Sequence, residues 1–370
     1  MSTKLSWEAR MQRREMLKTG LAALGTASLA APAIAQSAPQ IKWRISSSFP
    51  RALDTIYGAC ETLGRYVSDL TDGHFQIQSF AGGEIVPPLQ AIDAVSNGTV
   101  EMCHSTSFYN LGKDPTWAIG AAIPFGLNAR QKSAWLQSGG QELLDDFYRQ
   151  SNLVAFAAGD TGAQMGGWFR REIKTVDDLK GLRFRVSGLT GQILTKLGVV
   201  PQAIPAADTY PALERGTIDA AEWIGPYDDE KLGFAKIAPY YYYPGWWEGS
   251  VVVHAFVNQA KWNELPKAYQ AAIRIAAQAV HTEMLARYDA RNPPALRRLV
   301  ASGAQLRPFS REIMEACYKS ALEIYADISA KNSGFKRIFD SYWAVRSDAY
   351  LWQQISDYSY DTFNISSRQR

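Results

Sequence analysis

The sequence predicts an α/β protein: a two-lobe clamp with hinge crossings between the lobes and additional C-terminal helices. Three observations predict it. Strand-like and helix-like periods alternate in residues 41–105 and again in residues 162–249. Strand-like apolar sequence then returns at 251–257. From Asn258 onward the apolar residues keep a helical period. Two α/β units with the chain crossing between them describe a hinged clamp. Such sheets bind ligands at the carboxyl ends of their strands, and the space between lobes is a natural pocket.

In chain order, residues 41–46 alternate apolar and polar, as a half-buried strand does. Residues 54–70 have a helical period that stops at Thr71-Asp72-Gly73, and 74–80 alternate again. Pro87 opens a helix through Ala94 that ends at Asn97-Gly98, and 100–105 form the next strand. This order implies a mostly parallel sheet with helices on both faces. The second unit has strands at 182–186, 199–204 and 218–222. Its helices lie at 190–197 and 209–214, followed by Gly198 and Gly216. Beyond it, one long helix runs from Lys261 to about Tyr288, broken by Asn292-Pro293-Pro294. Further helices cover 311–330 and 335 through much of the tail. The expected divisions are an export signal at 1–36, lobe I at 37–160 and lobe II at 161–248. A return to lobe I with the long connecting helix follows at 249–330, and the helical tail at 331–370 is either an element that pairs with a second copy or a helix packed on its own lobe.

Arg13-Arg14, an apolar run at 21–31 and the small residues Ala33-Ile34-Ala35 make a secretory signal rather than a membrane span. The paired arginines point to twin-arginine export. An ordinary secretory signal with two adjacent basic residues is the alternative, since Gln12 stands where a serine is usual. Either way the mature chain starts near Gln36 or Ser37, and a periplasmic location is expected. Five basic and two acidic residues lie in the signal, which leaves 34 of each beyond it. The net charge of +3 therefore belongs to the signal. A neutral mature chain gives no support for nucleic-acid or anionic-membrane binding. No later apolar run is long enough to span a bilayer. Cys60, Cys103 and Cys317 are an odd set without a Cys-x-x-Cys pair, and buried free thiols are the favoured reading.

Polar groups at strand ends mark the candidate site. Arg185 ends a strand just before a glycine turn, with Arg183 on the same face. Its guanidinium fork matches a carboxylate and keeps its charge, so it suits a ligand carboxylate or a structural salt bridge equally. Glu222-Trp223 ends another strand before Gly225-Pro226. Its carboxylate suits a hard cation together with carbonyl and amide oxygens, although pairing with an arginine is the plainer reading. Tyr240 to Tyr243 and Trp246-Trp247-Glu248 form an aromatic cluster, which usually means core packing. Four consecutive tyrosines cannot all face inward. The catalytic inventory is poor. None of the four histidines has zinc-ligand spacing, and nucleophile-elbow, Walker and dinucleotide fingerprints are missing. The helix opened by Gly188-Leu189-Thr190-Gly191 is a weak anion signal on its own.

These landmarks together resemble the substrate-binding proteins of TRAP transporters, the DctP-type family, over nearly the whole mature chain. The resemblance is carried by Phe80-Ala81-Gly82-Gly83-Glu84-Ile85, by Ala94-Val95-Ser96-Asn97-Gly98-Thr99-Val100-Glu101-Met102 and by residues 182–188. Its strongest match is Tyr210-Pro211-Ala212-Leu213-Glu214-Arg215-Gly216-Thr217-Ile218-Asp219-Ala220-Ala221-Glu222. The stretch Gly225-Pro226-Tyr227-Asp228-Asp229-Glu230-Lys231-Leu232-Gly233-Phe234 resembles the branch that binds 2-oxoacids such as pyruvate through a metal cation.

The resemblance implies that Arg185 clamps the ligand carboxylate. It also implies that Gln164, Glu222 and the Trp223 backbone carbonyl ligate the cation, with Glu248 contributing. Phe108 and Tyr109 would touch the ligand from the first lobe. It implies a periplasmic solute receptor rather than an enzyme, with sodium or calcium and no organic cofactor. Its partners would be TRAP membrane permease subunits. The alternatives are the same receptor fold serving a hydroxy acid, an aromatic acid or a polyol, and a folded-exported periplasmic enzyme.

Overall fold

The computed structural model describes residues 39–368; the expected export signal lies outside the described residues. The strands are β1 (Ile41–Ser47), β2 (Phe75–Phe80), β3 (Met102–Ser105), β4 (Leu153–Asp160), β5 (Trp168–Phe169) and β6 (Arg183–Arg185). They continue with β7 (Val200–Gln202), β8 (Ala220–Ala221), β9 (Tyr240–Tyr243), β10 (Val252–Asn258) and β11 (Gln305–Pro308). They form two sheets, one per lobe, in the orders β2-β1-β3-β10-β4 and β11-β9-β5-β8-β6-β7.

The expected strand–helix–strand units are present and parallel, as β1 with β2 and β3, and as β6 with β7 and β8. The expectation of mostly parallel sheets is corrected where the chain passes between lobes. β10 runs antiparallel to β3 and β4, and β5 antiparallel to β8 and β9. A strand that arrives directly from the other lobe enters the sheet from the opposite end to one delivered by a crossover helix. β10 is buried along all of its 7 residues, as a central strand covered on both faces must be.

The Ile56–Leu70 helix presents Ile56, Tyr57, Cys60, Leu63 and Val67 to the first sheet. Its close approach needs Gly64, where a Cβ would lie 2.6 Å from the Ile77 carbonyl oxygen. Leu63 is fully buried there, so truncating it to alanine costs ~2–5 kcal/mol. Cys60, Cys103 and Cys317 are all free and buried.

Two helical expectations are corrected. The segment from Lys261 is not continuous. Gln259–Glu264 is a short helix capped by Asn258, and Leu265-Pro266 separates it from Lys267–Ala301. That 35-residue helix then runs through Pro293 and Pro294 instead of stopping. Each internal proline costs ~3 kcal/mol. Ties to the Pro226–Leu232 helix on both sides of the prolines oppose that cost. Tyr288 Oη donates to Asp228 Oδ2 at 2.8 Å, Asn292 Oδ1 accepts from the Tyr227 amide at 3.1 Å, and Arg298 pairs with Glu230. The same helix reaches the first lobe, where Glu283 Oε2 accepts from Tyr66 Oη at 2.8 Å.

Within residues 249–330, β10 joins the first sheet, whereas β11 adds to the edge of the second sheet beside β9. In β9, Tyr241 and Tyr242 are buried on opposite faces while Tyr243 is exposed. The tail forms the helices Ser333–Ile355 and Asp357–Ser367. Phe335, Ile338 and Tyr342 seat its start, and Tyr342 Oη accepts from the Leu127 amide at 2.7 Å. Beyond them, Leu351, Trp352, Ile355, Tyr358, Tyr360, Phe363 and Ile365 are all exposed. No described helix is long and apolar enough to cross a membrane.

Candidate functional site

The two arginines of β6 share one face of the strand but meet different surroundings, because they sit at its opposite ends. Arg183, at the strand's outer end, pairs with Asp219 in a forked contact at 2.9 and 2.6 Å that stays partly exposed. Arg185 is buried at the inner end. β8 runs alongside in register, with Arg185 opposite Ala221, so the chain leaving β8 places Glu222 and Trp223 next to the guanidinium. Arg185 Nη1 donates to Glu222 Oε1 at 2.5 Å and to the Glu222 carbonyl at 2.6 Å. Its Nε donates to the Ile204 carbonyl at 3.1 Å, and the Trp223 ring lies beneath it with its centroid 4.9 Å away. The salt-bridge alternative for this arginine is thus present, with Glu222 as its partner, and the pair lines the cleft.

The two hinge segments supply the rest. Gln164 lies on the crossing between β4 and β5, and its amide donates to the Glu248 carbonyl at 3.2 Å. Its side-chain Nε2 donates to Thr161 Oγ1 at 3.1 Å, which leaves Oε1 buried and without a partner. Glu248, on the return crossing before β10, is buried and makes no side-chain hydrogen bond among the described residues. From the first lobe, the short turn Ser107–Asn110 after β3 presents Phe108 and Tyr109, whose rings meet edge to face at 5.3 Å. All seven residues singled out in the sequence line one cavity of about 30 Å3, together with Phe49, Thr161 and Ser187. That room holds about two waters, so the cleft is drawn closed.

Burial governs the charges. It pushes the Glu222 carboxyl up to about 7, against the pull of Arg185. Burial and then the Glu222 charge raise Glu248 well above the usual carboxylate range, again with Arg185 opposing. Tyr109 is pushed up to about 12 by burial. One guanidinium thus faces two carboxyls, and ionising both leaves a net negative charge away from water. A cation is what such a chamber lacks. The oxygen donors of Gln164, Glu222 and Glu248 fit a hard cation, and the unpartnered Gln164 Oε1 is the atom that most needs one. Among the described residues no group of three or more His, Cys, Asp or Glu gathers as a metal cluster, so a cation here must draw on amide and carbonyl oxygens too.

Two neighbouring features escaped the sequence reading. Asp228 and Asp229 are fully buried behind the Glu222–Trp223 turn. Asp229 accepts from Trp168 Nε1 at 3.0 Å, Tyr241 Oη at 2.7 Å and the Ile224 amide at 3.4 Å. Burial pushes both carboxyls up to about 7. Acidic residues opening a helix look like ordinary dipole partners, and nothing in their spacing signals burial. The second feature is an adjoining cavity of about 340 Å3 that shares Phe108, Tyr109 and Ser187 with the charged chamber and is walled by Leu111, Val186 and Ile204. The Gly188 and Gly191 turn lines this annex rather than the charged chamber.

Residues 46–332 match the family model described as bacterial extracellular solute-binding protein, family 7, DctP. A monocarboxylate 2-oxoacid-binding periplasmic protein of Nostoc sp. strain PCC 7120 is 45% identical over 365 residues, covering 97% of this chain and 100% of that protein. A TRAP transporter solute-binding protein of Bordetella bronchiseptica is 49% identical with a TM-score of 0.89, covering 90% of this chain and 99% of that one. It is a mixed-occupancy dimer with calcium and picolinate in one active site and an apo site in the other. A TRAP periplasmic solute-binding protein of Pseudoalteromonas atlantica, with sodium and pyruvate bound, is 34% identical with a TM-score of 0.84, covering 87% of this chain and 98% of that one.

Proposed function

The chain belongs to the bacterial extracellular solute-binding proteins of family 7, the DctP family, and on that footing we propose that it is the periplasmic solute receptor of a TRAP transporter. It takes a small monocarboxylate, a 2-oxoacid such as pyruvate, together with sodium or calcium, and delivers it to the membrane permease. The observation that carries this reading is the unpartnered, buried Gln164 Oε1 beside one guanidinium and two carboxyls. The relatives that hold pyruvate with sodium and picolinate with calcium support it.

In this reading Arg185 receives the ligand carboxylate. Gln164 Oε1, the Glu222 carboxylate, the Trp223 carbonyl and Glu248 hold the cation, whose charge lets an anionic ligand lie beside Glu222. Phe108 and Tyr109 close over the ligand from the first lobe and exclude water. Contacts from both lobes favour the closed state, and that differential affinity shifts the clamp toward it. The annex lies where a ligand side chain would extend, which favours testing longer and aromatic acids beside pyruvate.

A thermal-shift matrix tests the reading. It sets pyruvate, longer 2-oxoacids, 2-hydroxy acids, picolinate and a polyol each against sodium, calcium and neither. A 2-oxoacid with cation should raise the melting temperature well beyond either alone. Equal ligand affinity with and without cation refutes the shared site.

We further propose that the tail at 331–370 packs on a second copy of the chain. Its exposed aromatic and aliphatic side chains, Leu351 to Ile365, support this. The paired substitution Trp352→Glu and Phe363→Glu should give a monomer by light scattering with ligand affinity unchanged. A parent chain that is already monomeric at tens of micromolar overturns it.

A further inference from the structure

A polar cluster on the cleft rim takes no part in the proposed site. Asp54 lies between β1 and the Ile56–Leu70 helix, in the first lobe. Its Oδ1 accepts from Lys231 Nζ, and its Oδ2 accepts from Tyr227 Oη at 3.1 Å. Lys231 Nζ also donates to the Ala52 carbonyl at 3.3 Å and stands 4.3 Å from the Tyr227 ring centroid. Arg291 of the long helix holds Asp54 at 3.2 Å and the Thr55 hydroxyl at 2.8 Å.

Lys231 and Tyr227 belong to the Pro226–Leu232 helix, the first element after Glu222 and Trp223 in the second lobe. The contact therefore joins a first-lobe loop to the element that carries the proposed cation ligands. Its side chains are only partly shielded, 28% exposed for Lys231 and 48% for Asp54. Burial is the largest single influence and disfavours both charges, yet the partners together outweigh it: Lys231, Tyr227 and Arg291 hold Asp54 below the usual carboxylate range, and Asp54 with Tyr227 raises Lys231.

We propose that Asp54 and Lys231 form a latch across the rim that holds the clamp shut and sets its affinity without touching the ligand. Both are positioning residues, acting on the Glu222–Trp223 turn through the Pro226–Leu232 helix. The proposal rests on the two-lobe receptor reading. It differs from the ligand contacts in being a partly exposed ion pair, hence open to screening by salt.

The test compares the parent with Asp54→Asn, Lys231→Gln and the double variant. Pyruvate titrations in calcium are run at low and high choline chloride, which avoids adding sodium. Each single variant should weaken binding about three- to fivefold at low ionic strength. The double variant should be no weaker than the worse single, because one interaction is lost. High salt should bring the parent toward the variants, while the ligand-free melting temperatures stay together, which a merely structural role would not allow. Unchanged affinity in both singles, additive losses or salt-independent losses overturn the latch. If the parent binds neither pyruvate nor picolinate with any cation, the receptor reading fails instead. Small-angle scattering of the ligand-free proteins at low salt then decides the latch separately: both singles should show a larger radius of gyration than the parent, and equal radii overturn it.

Discussion

The second lobe and its hinge bury two pairs of carboxyl groups, and the pairs are equipped differently. Asp229 is completed by three protein donors, and Asp228 Oδ2 accepts from Tyr288 of the long helix while its Oδ1 is buried without a partner among the described residues. Among the described residues Glu222 has the Arg185 guanidinium, Glu248 has no side-chain hydrogen bond, and Gln164 Oε1 beside them has no partner. Burial raises all four carboxyls. The difference teaches that burial and a displaced pKa do not identify a binding site. A carboxyl finished by tyrosine and tryptophan donors, as Asp229 is, serves the fold, whereas acceptors left short around a single cationic group and facing a cavity leave a place for a guest.

Arg185→Ala should strike hardest. It removes the one positive charge the chamber owns, and ligand affinity should fall at least about 30-fold, since truncating one partner of a buried charge pair costs ~2–5 kcal/mol. Calorimetry that finds Kd within threefold of the parent breaks the comparison outright. Glu222→Gln should come next, with a roughly 10- to 100-fold loss and no remaining dependence on calcium. The matched change behind the cleft, Asp229→Asn, should cost ~1–3 kcal/mol of stability through its mismatched donors and leave Kd within about threefold. If Asp229→Asn also abolishes the calcium response, the two carboxyl pairs are not separable in function.

The pH dependence follows from the raised carboxyls. Glu222, Asp228 and Asp229 hold protons in the folded chain that they release in the unfolded chain between about pH 4 and 7, so their contribution to stability falls as pH rises through that window. Buried His104 and His254, held down to about 4 and 3, act in the opposite sense. The melting-temperature difference between the ligand-free parent and Glu222→Gln should therefore shift against the parent as pH rises through the window. A cation needs ionised carboxylates, so the melting-temperature rise from calcium should be large at pH 8 and vanish below pH 5. A calcium response that does not change with pH would separate the cation from these carboxyls. The smallest effect belongs to Arg183→Gln on the same strand as Arg185. Its forked pair with Asp219 is partly exposed, so the loss should stay under ~1 kcal/mol in chemical denaturation with Kd unchanged.

Legibility in the sequence followed locality. β1, β2, β6 and their helices show plain alternation and Gly or Asn stops, and they fold where the periods place them. Arg185 and Glu222 stood out because charged side chains end apolar strands. β4 went unmarked, because Leu153-Val154-Ala155-Phe156-Ala157-Ala158 alternates by burial rather than by polarity. The antiparallel direction of β10 and β5 is not local information, because it depends on which lobe the chain has just left. Pro293 and Pro294 read as a stop, and only the tertiary ties of Tyr288, Asn292 and Arg298 overrule them. Gln164 drew notice only through family likeness. An amide in a glycine-rich crossing carries no signal until its oxygen is seen buried and unpaired.

The Lys267–Ala301 helix is bound to one half through Tyr66 and to the other through Asp228 and Glu230. It works as the spine of a book whose two covers share one binding. Covers hinged on a common spine swing rather than slide, so a few degrees at the fold become the widest gap at the free edge. The angular travel such a spine permits would then limit the bulk of any guest that can pass between the pages.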